Sequence, residues 1–156
     1  YPIIGVDVLD SKLAIAREFG ATHTINLASQ SVKDEVMKLT GGGVDASIIA
    51  VGNTIAMRDG YEILAKQGVA VVLGLPGTGE TFPVDPAVLM SGERRIVGSR
   101  YGSSNPQSEF PKMVELAMAG RLRIEELITK RYDLDQADEA FRALAAGEQA
   151  RGLIVF

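Results

Sequence analysis

No cysteine and no tryptophan occur among the 156 residues, and His23 is the single histidine. Without cysteine there is no disulfide framework and no thiolate ligand, and one imidazole falls short of the three or four ligands a zinc centre needs. A zinc site made by this chain alone is therefore close to excluded. Long apolar runs are missing too. No stretch approaches the roughly 20 residues that cross a bilayer, and the first residues lack the basic-then-apolar pattern of a signal peptide. The expectation is a cytoplasmic chain with no membrane partner. Basic clusters are equally scarce: 16 Lys and Arg against 20 Asp and Glu leave a net charge of −4, and the densest basic run is Arg94-Arg95. Nucleic acid is not an expected partner. An initiator methionine is absent, and Tyr1-Pro2 leads directly into Ile3-Ile4-Gly5-Val6, which reads as a fragment of something longer.

What is present is enough apolar material, 46% of residues, to bury one substantial core, and residues 1–156 are read as one domain with no dividing linker. Short Val- and Ile-rich runs alternate with helical patterns, the signature of βαβ units and a mostly parallel sheet. Strands are predicted at 3–8, 24–26, 46–51, 69–75, 95–99 (irregular or edge) and 152–156. The unbroken run from Val69 to Leu75 marks a central strand buried on both faces. Helices are predicted from Asp10 to a stop at Gly20, along Val32, Val36 and Leu39, along Met57, Gly60, Tyr61 and Leu64, at 87–91, along Phe110, Met113, Val114 and Ala117, and along Ala137, Ala140, Phe141 and Leu144 behind an N-cap at Asp135.

In doubly wound sheets ligands lie across the carboxyl ends of the strands, so the residues just after each strand are the informative ones. Asp7 is the first. An acid in that position of a dinucleotide fold accepts hydrogen bonds from the adenosine ribose and repels the 2′-phosphate of NADP, which favours NAD(H). Equally, Asp7 or Asp10 serves only to cap the following helix. Two glycine-rich segments are set aside. The run from Gly74 to Gly79 has the wrong spacing for a phosphate loop and leads into an extended segment, and Gly41-Gly42-Gly43 follows a helix and precedes a strand. His23, with no second ligand nearby in sequence, is read as a partly exposed loop residue.

The segment IIGVDVLDSKLAIAREFGATHTIN resembles the second strand, helix and third strand of the nucleotide-binding domain of zinc-dependent medium-chain alcohol dehydrogenases. The resemblance continues in order through GGGVDASIIAVG, GVAVVLGLPG, VLMSGERRIVGSRYG and ARGLIVF. It implies a Rossmann-type doubly wound α/β fold, a mostly parallel sheet with helices on both faces, truncated at its N-terminus by one strand and one helix. It also implies a cofactor-binding role for ten residues. Asp7 would bind the ribose and Lys12 would lie against it. Val51 and Gly52 would approach the adenosine half, and Leu73, Gly74 and Leu75 the nicotinamide ribose. The backbone of Ser99 and Tyr101 would meet the carboxamide, and Arg151 would approach the pyrophosphate. Each has an ordinary reading beside it: a solvated lysine for Lys12, a turn glycine for Gly52, a surface arginine for Arg151.

By the same resemblance the diphosphate fingerprint would fall roughly 20 residues ahead of Asp7, where this chain has six residues, and the catalytic zinc ligands would lie further upstream. No catalytic and no metal-binding residue is therefore assigned here. The chain is expected to position NAD(H) for hydride transfer between an alcohol and an aldehyde or ketone in the intact enzyme, with zinc held elsewhere. Alone it is expected to be inactive and to bind NAD(H) weakly. The missing first strand would be the middle of the sheet, leaving two open edges. A swapped or otherwise intimate homo-oligomer is then expected, or strand two closing directly on strand four, and the family commonly dimerises by extending the sheet across its final strand. The competing readings are an S-adenosylmethionine-dependent methyltransferase, whose sheet ends in an antiparallel hairpin, and a non-catalytic nucleotide-binding module. Within the family a zinc-free NADPH quinone reductase is a further alternative, but such proteins usually lack the acid.

Overall fold

Among the described residues every strand pairing is parallel, and each strand but the last is followed by a helical connection, so the βαβ rhythm of the sequence becomes a Rossmann-type α/β arrangement. The computed structural model describes residues 2–156. Strand β1 (Ile4–Asp7) pairs in register with β2 (His23–Asn26), from Ile4 opposite His23 to Asp7 opposite Asn26. Between them runs α1 (Asp10–Glu18), which ends at Phe19 before Gly20 turns the chain at φ 106°. Helix α2 (Val32–Thr40) is capped by Ser31, whose hydroxyl accepts from the Asp34 amide, and it stops where Gly41 takes φ 73°, a left-handed conformation that glycine adopts without strain. Its Val32 and Val36 are buried, but Leu39 on the predicted apolar face is exposed.

Strands β3 (Val44–Ile49), β4 (Leu64–Val72) and β5 (Arg95–Gly98) form a second sheet with β4 in the centre. Helix α3 (Thr54–Glu62) connects the first two, and Asn53 caps it by accepting from the Ile55 and Ala56 amides. Two expectations are corrected here. Leu64, placed on the helix with Met57 and Tyr61, is the first residue of β4 and fully buried. It stays in the core because the chain leaves α3 at Ile63 and enters the sheet beside Val44. Strand β4 begins at Leu64 rather than Val69 and ends at Val72, so Leu73 and Leu75 lie beyond it and are exposed. A bulge separates its two parts: β3 advances from Val44 to Ala46 while β4 advances from Leu64 to Val69, with Gln67 at φ 65°. The polar Lys66-Gln67 step hides this strand start from a hydrophobic-run reading.

The core of this region has two clusters. Ile49, Met57, Tyr61, Leu64 and Ala70 pack between α3 and the three-stranded sheet. Ile25, Val32, Val36 and Ile63 pack around α2, with Ile4 and Val44 against them. The two sheets are thus held by a shared apolar cluster and not by backbone pairing. The open edges expected between β1 and β3 are present: β1-β2 and β3-β4-β5 are separate sheets, and the alternative in which β1 closes on β3 is not realised. Direct pairing would require repacking Ile4 and Val44, which both lean on the second cluster.

The chain divides into two compact units, residues 1–103 and 104–156. The first ends after α4 (Pro86–Ser91), β5 and a 3₁₀ turn (Tyr101–Ser103). The second contains α5 (Pro106–Met118), β6 (Ile128–Asp133), α6 (Ala137–Ala145) and β7 (Arg151–Val155), with β6 and β7 parallel. Strand β6 has no counterpart in the sequence reading, because Thr129, Lys130 and Arg131 break its hydrophobic pattern. Its Tyr132 is buried and donates from Oη to Gln149 Oε1 at 2.7 Å, while Gln149 donates to the Ala140 carbonyl. Ala140 and Ala143 are the buried face of α6, leaving Phe141 and Leu144 exposed against expectation. Asp135 is not the cap either: it sits in the 3₁₀ turn Leu134–Gln136, and Gln136 occupies the cap position with its Oε1 accepting from the Asp133 amide and not from the helix. No residue of α5 is buried.

Candidate functional site

At the end of β1 the Asp7 carboxylate turns back on its own chain. Its Oδ1 accepts from the Val8 amide at 2.8 Å and the Leu9 amide at 3.0 Å. This is a short Asx-type turn, and it is not the helix cap of the simpler reading, since Leu9 occupies the cap position of α1 with no side-chain bond. Asp10 does not cap either; its Oδ1 accepts from Asn26 Nδ2 at 2.6 Å, which ties the first turn of α1 to the end of β2. Asn26 in turn accepts from the Ala28 amide. One oxygen of Asp7 is thus used to shape the turn. Its other oxygen has no hydrogen-bond partner among the described residues. Lys12, in the first turn of α1, is half-buried and likewise unpaired among the described residues.

A second group forms at the carboxyl ends of β3, β4 and β5. The amides of Leu73 and Gly74 both donate to the Ile49 carbonyl, at 2.9 and 3.0 Å, and the Ser99 amide donates to the Val72 carbonyl at 2.9 Å. The turn after β3 and the turn after β4 press backbone against backbone. A Cβ on Gly52 would overlap the Leu75 carbonyl, and one on Gly74 would overlap the Val51 carbonyl. Both glycines are required by this mutual approach, a reason the sequence reading did not contain. Val51, Gly52, Leu73, Gly74, Leu75 and Ser99 are therefore brought together. Because the Leu73, Gly74 and Ser99 amides are committed inside the protein, these three residues offer a ligand carbonyl oxygens. Val51, Leu73 and Leu75 add an exposed apolar rim.

Tyr101, two residues beyond Ser99, stands at φ 50° beside Gly102 at φ 70°, with 86% of its surface exposed. Arg151 belongs to the second unit, as the exposed first residue of β7 opposite Ile128. His23 is not a loop residue but the start of β2, with Nδ1 2.9 Å from Thr22 Oγ1. Asn26, which the sequence reading does not single out, shapes this strand end together with Asp10, which is there only a candidate cap; an Asn closing a strand ahead of Ala28-Ser29 was the available signal. Among the described residues no three His, Cys, Asp or Glu side chains gather in a group that could hold a metal ion.

An acid thus closes β1, and glycine turns that face each other follow β3 and β4, all at the carboxyl strand ends where doubly wound folds take ligands. The family model described as zinc-binding dehydrogenase matches residues 1–119. The chain belongs to the zinc-binding dehydrogenase family. This agrees with the resemblance carried by its sequence motifs. Among zinc-binding dehydrogenases, the NDMA-dependent alcohol dehydrogenase of Amycolatopsis methanolica is 32% identical over 157 residues, covering 98% of this chain and 42% of that protein. The benzyl alcohol dehydrogenase of Acinetobacter calcoaceticus has a solved structure that superposes with a TM-score of 0.94 at 29% identity, covering 98% of this chain and 42% of that one. A zinc-binding dehydrogenase from Sinorhizobium meliloti, solved bound to NADP, superposes with a TM-score of 0.89 at 25% identity, over 99% of this chain and 45% of the other. The chain spans about two fifths of the length of the relatives it matches.

Proposed function

We propose that residues 1–156 are part of the nucleotide-binding domain of an NAD-dependent, zinc-type alcohol dehydrogenase, positioning NAD(H) for hydride transfer between an alcohol and an aldehyde or ketone. The observation that carries this reading is the Asp7 carboxylate. Two amide donors fix its orientation through Oδ1, and its second oxygen is left to accept from ribose hydroxyls. Lys12 lies against the same ribose. Val51 and Gly52 bound the adenosine half, and Leu73, Gly74 and Leu75 the nicotinamide ribose. Carbonyl oxygens suit the carboxamide NH₂, which is the part Ser99 and Tyr101 would play. A nicotinamide held here would supply the hydride acceptor or donor, and zinc held outside these residues would supply polarisation of the substrate oxygen. The parallel β6-β7 pair speaks against the methyltransferase alternative, which would end in an antiparallel hairpin.

The unpaired edges of β1 and β3 support a homo-oligomer, strand-swapped or otherwise intimate, and the cytoplasm is the compartment that suits a chain without cysteine. Nicotinamide fluorescence titration tests the cofactor. NADH is expected to bind the 156-residue polypeptide weakly, above the micromolar range, yet on the order of 10-fold more tightly than NADPH, whose 2′-phosphate meets Asp7. In Asp7→Asn that preference should vanish. The Sinorhizobium meliloti neighbour carries NADP, so equal or reversed affinity in the unsubstituted protein would reject the assignment. Alcohol turnover by this polypeptide alone would reject the expected inactivity.

A further inference from the structure

The amino ends of β4 and β5, opposite the strand ends that carry Gly52, Gly74 and Ser99, border a cavity of about 250 Å³. Tyr61 and Glu62 from the end of α3, Lys33 from α2, and Asp85 and Arg94 from the segments flanking α4 line it. Tyr61 is only 2% exposed, and its ring is accounted for by the Ile49, Met57, Leu64 and Ala70 core. Its hydroxyl is not: Oη is buried with no hydrogen-bond partner among the described residues. A buried orphan hydroxyl is costly, and a phenylalanine would fill the same apolar space without that cost.

The charges around the cavity are unevenly matched. Glu62 is answered by Lys33 at 3.3 Å and by Arg58 at 3.9 Å. Asp85 spends Oδ1 on the Ala87 and Val88 amides at the start of α4. Arg94 has no carboxylate partner among the described residues; its Nε donates to the Ala65 carbonyl at 3.4 Å, and its two terminal nitrogens are left over. A guanidinium fork, a hydroxyl donor and an ammonium around one small space fit an oxyanion. Lys33 and Arg94 are each held by long contacts, which leaves both side chains able to turn toward an occupant beside the Tyr61 hydroxyl.

We propose that this cavity binds a small oxyanion, a phosphate or carboxylate group, through Tyr61 Oη, the Arg94 guanidinium and the Lys33 ammonium. The test is calorimetric titration with inorganic phosphate and with acetate, each against chloride at equal ionic strength. Saturable heat is expected for at least one anion, and the tighter of the two identifies the group. Arg94→Gln is expected to weaken binding by ~10-fold or more and Tyr61→Phe by several-fold. Tyr61→Phe serves also as the folding control, because a hydroxyl without a partner leaves nothing behind when removed, and its ligand-free melting temperature should equal or exceed that of the parent. No saturable binding beyond chloride, or binding untouched by Arg94→Gln, would overturn the proposal. So would a ligand-free Tyr61→Phe protein that melts earlier, since the hydroxyl would then be engaged in the empty site.

Discussion

Gly52 and Gly74 stand where the turn after β3 and the turn after β4 meet backbone to backbone. Alanine at either position forces the two strand-end turns apart, and a loss of ~1–3 kcal/mol in denaturant unfolding is expected from such overpacking. Gly42→Ala is the matched control, with open space around its Cβ position, and should be neutral. If Gly74→Ala were as stable as Gly42→Ala, the close approach would not exist in solution. The Lys130–Glu139 pair, 2.7 Å apart in the second unit, supports a prediction about pH. The hydrogen bond from Lys130 holds the Glu139 carboxyl below its ordinary range, and the same bond raises Lys130. A lowered carboxyl stabilises above its unfolded pKa and loses that contribution as pH falls through the folded value. A raised ammonium stabilises below its unfolded pKa and loses its contribution as pH rises through the folded one. Glu139→Gln should therefore melt slightly below the parent at neutral pH and level with it near pH 3. A deficit that persists in acid would assign the effect to packing instead.

Among the elements, those with strong local signals were read correctly and those defined by distant partners were not. Helix α2 was legible because Val32 and Val36 repeat at helical spacing and Gly41 ends it. Strand β6 was not, because its stability comes from the β7 ladder and the Tyr132–Gln149 bond, partners 17 or more residues away. The start of β4 was missed for the same reason: Leu64 follows a helical pattern, and only its pairing with Val44 makes it a strand. Caps divide in the same way. Asn53 accepts from two amides of α3, and Asn53→Ala should cost about 1 kcal/mol. Asp135→Ala should cost nothing measurable, since Asp135 caps no helix. The two variants measured side by side in urea decide this; a larger loss at Asp135 would restore the cap inferred from sequence.

For the molecule as a whole, the decisive feature is the open edge on β1 and on β3. Each of these strands has one paired neighbour and one open side, and among the described residues side chains around Ile25, Val36 and Ile63 lie between the two sheets. Backbone donors and acceptors on an open edge recruit another strand when one is supplied. Sedimentation velocity of the 156-residue polypeptide should accordingly show an oligomer that persists on dilution into the low micromolar range. A monodisperse monomer at all concentrations would refute the intimate assembly.

The family was readable through the resemblance of its sequence motifs, and most of the elements through local features: β-branched runs, helical spacing, and the position of Asp7 at the end of the first of those runs. Which oxygen of Asp7 is free was not readable, since it depends on the Val8 and Leu9 amides folding back onto the other one. Nor was the bulge inside β4, or the orphan hydroxyl of Tyr61. Each depends on how segments distant in sequence pack together, and a one-dimensional pattern records the chemistry of those segments without the distances between them.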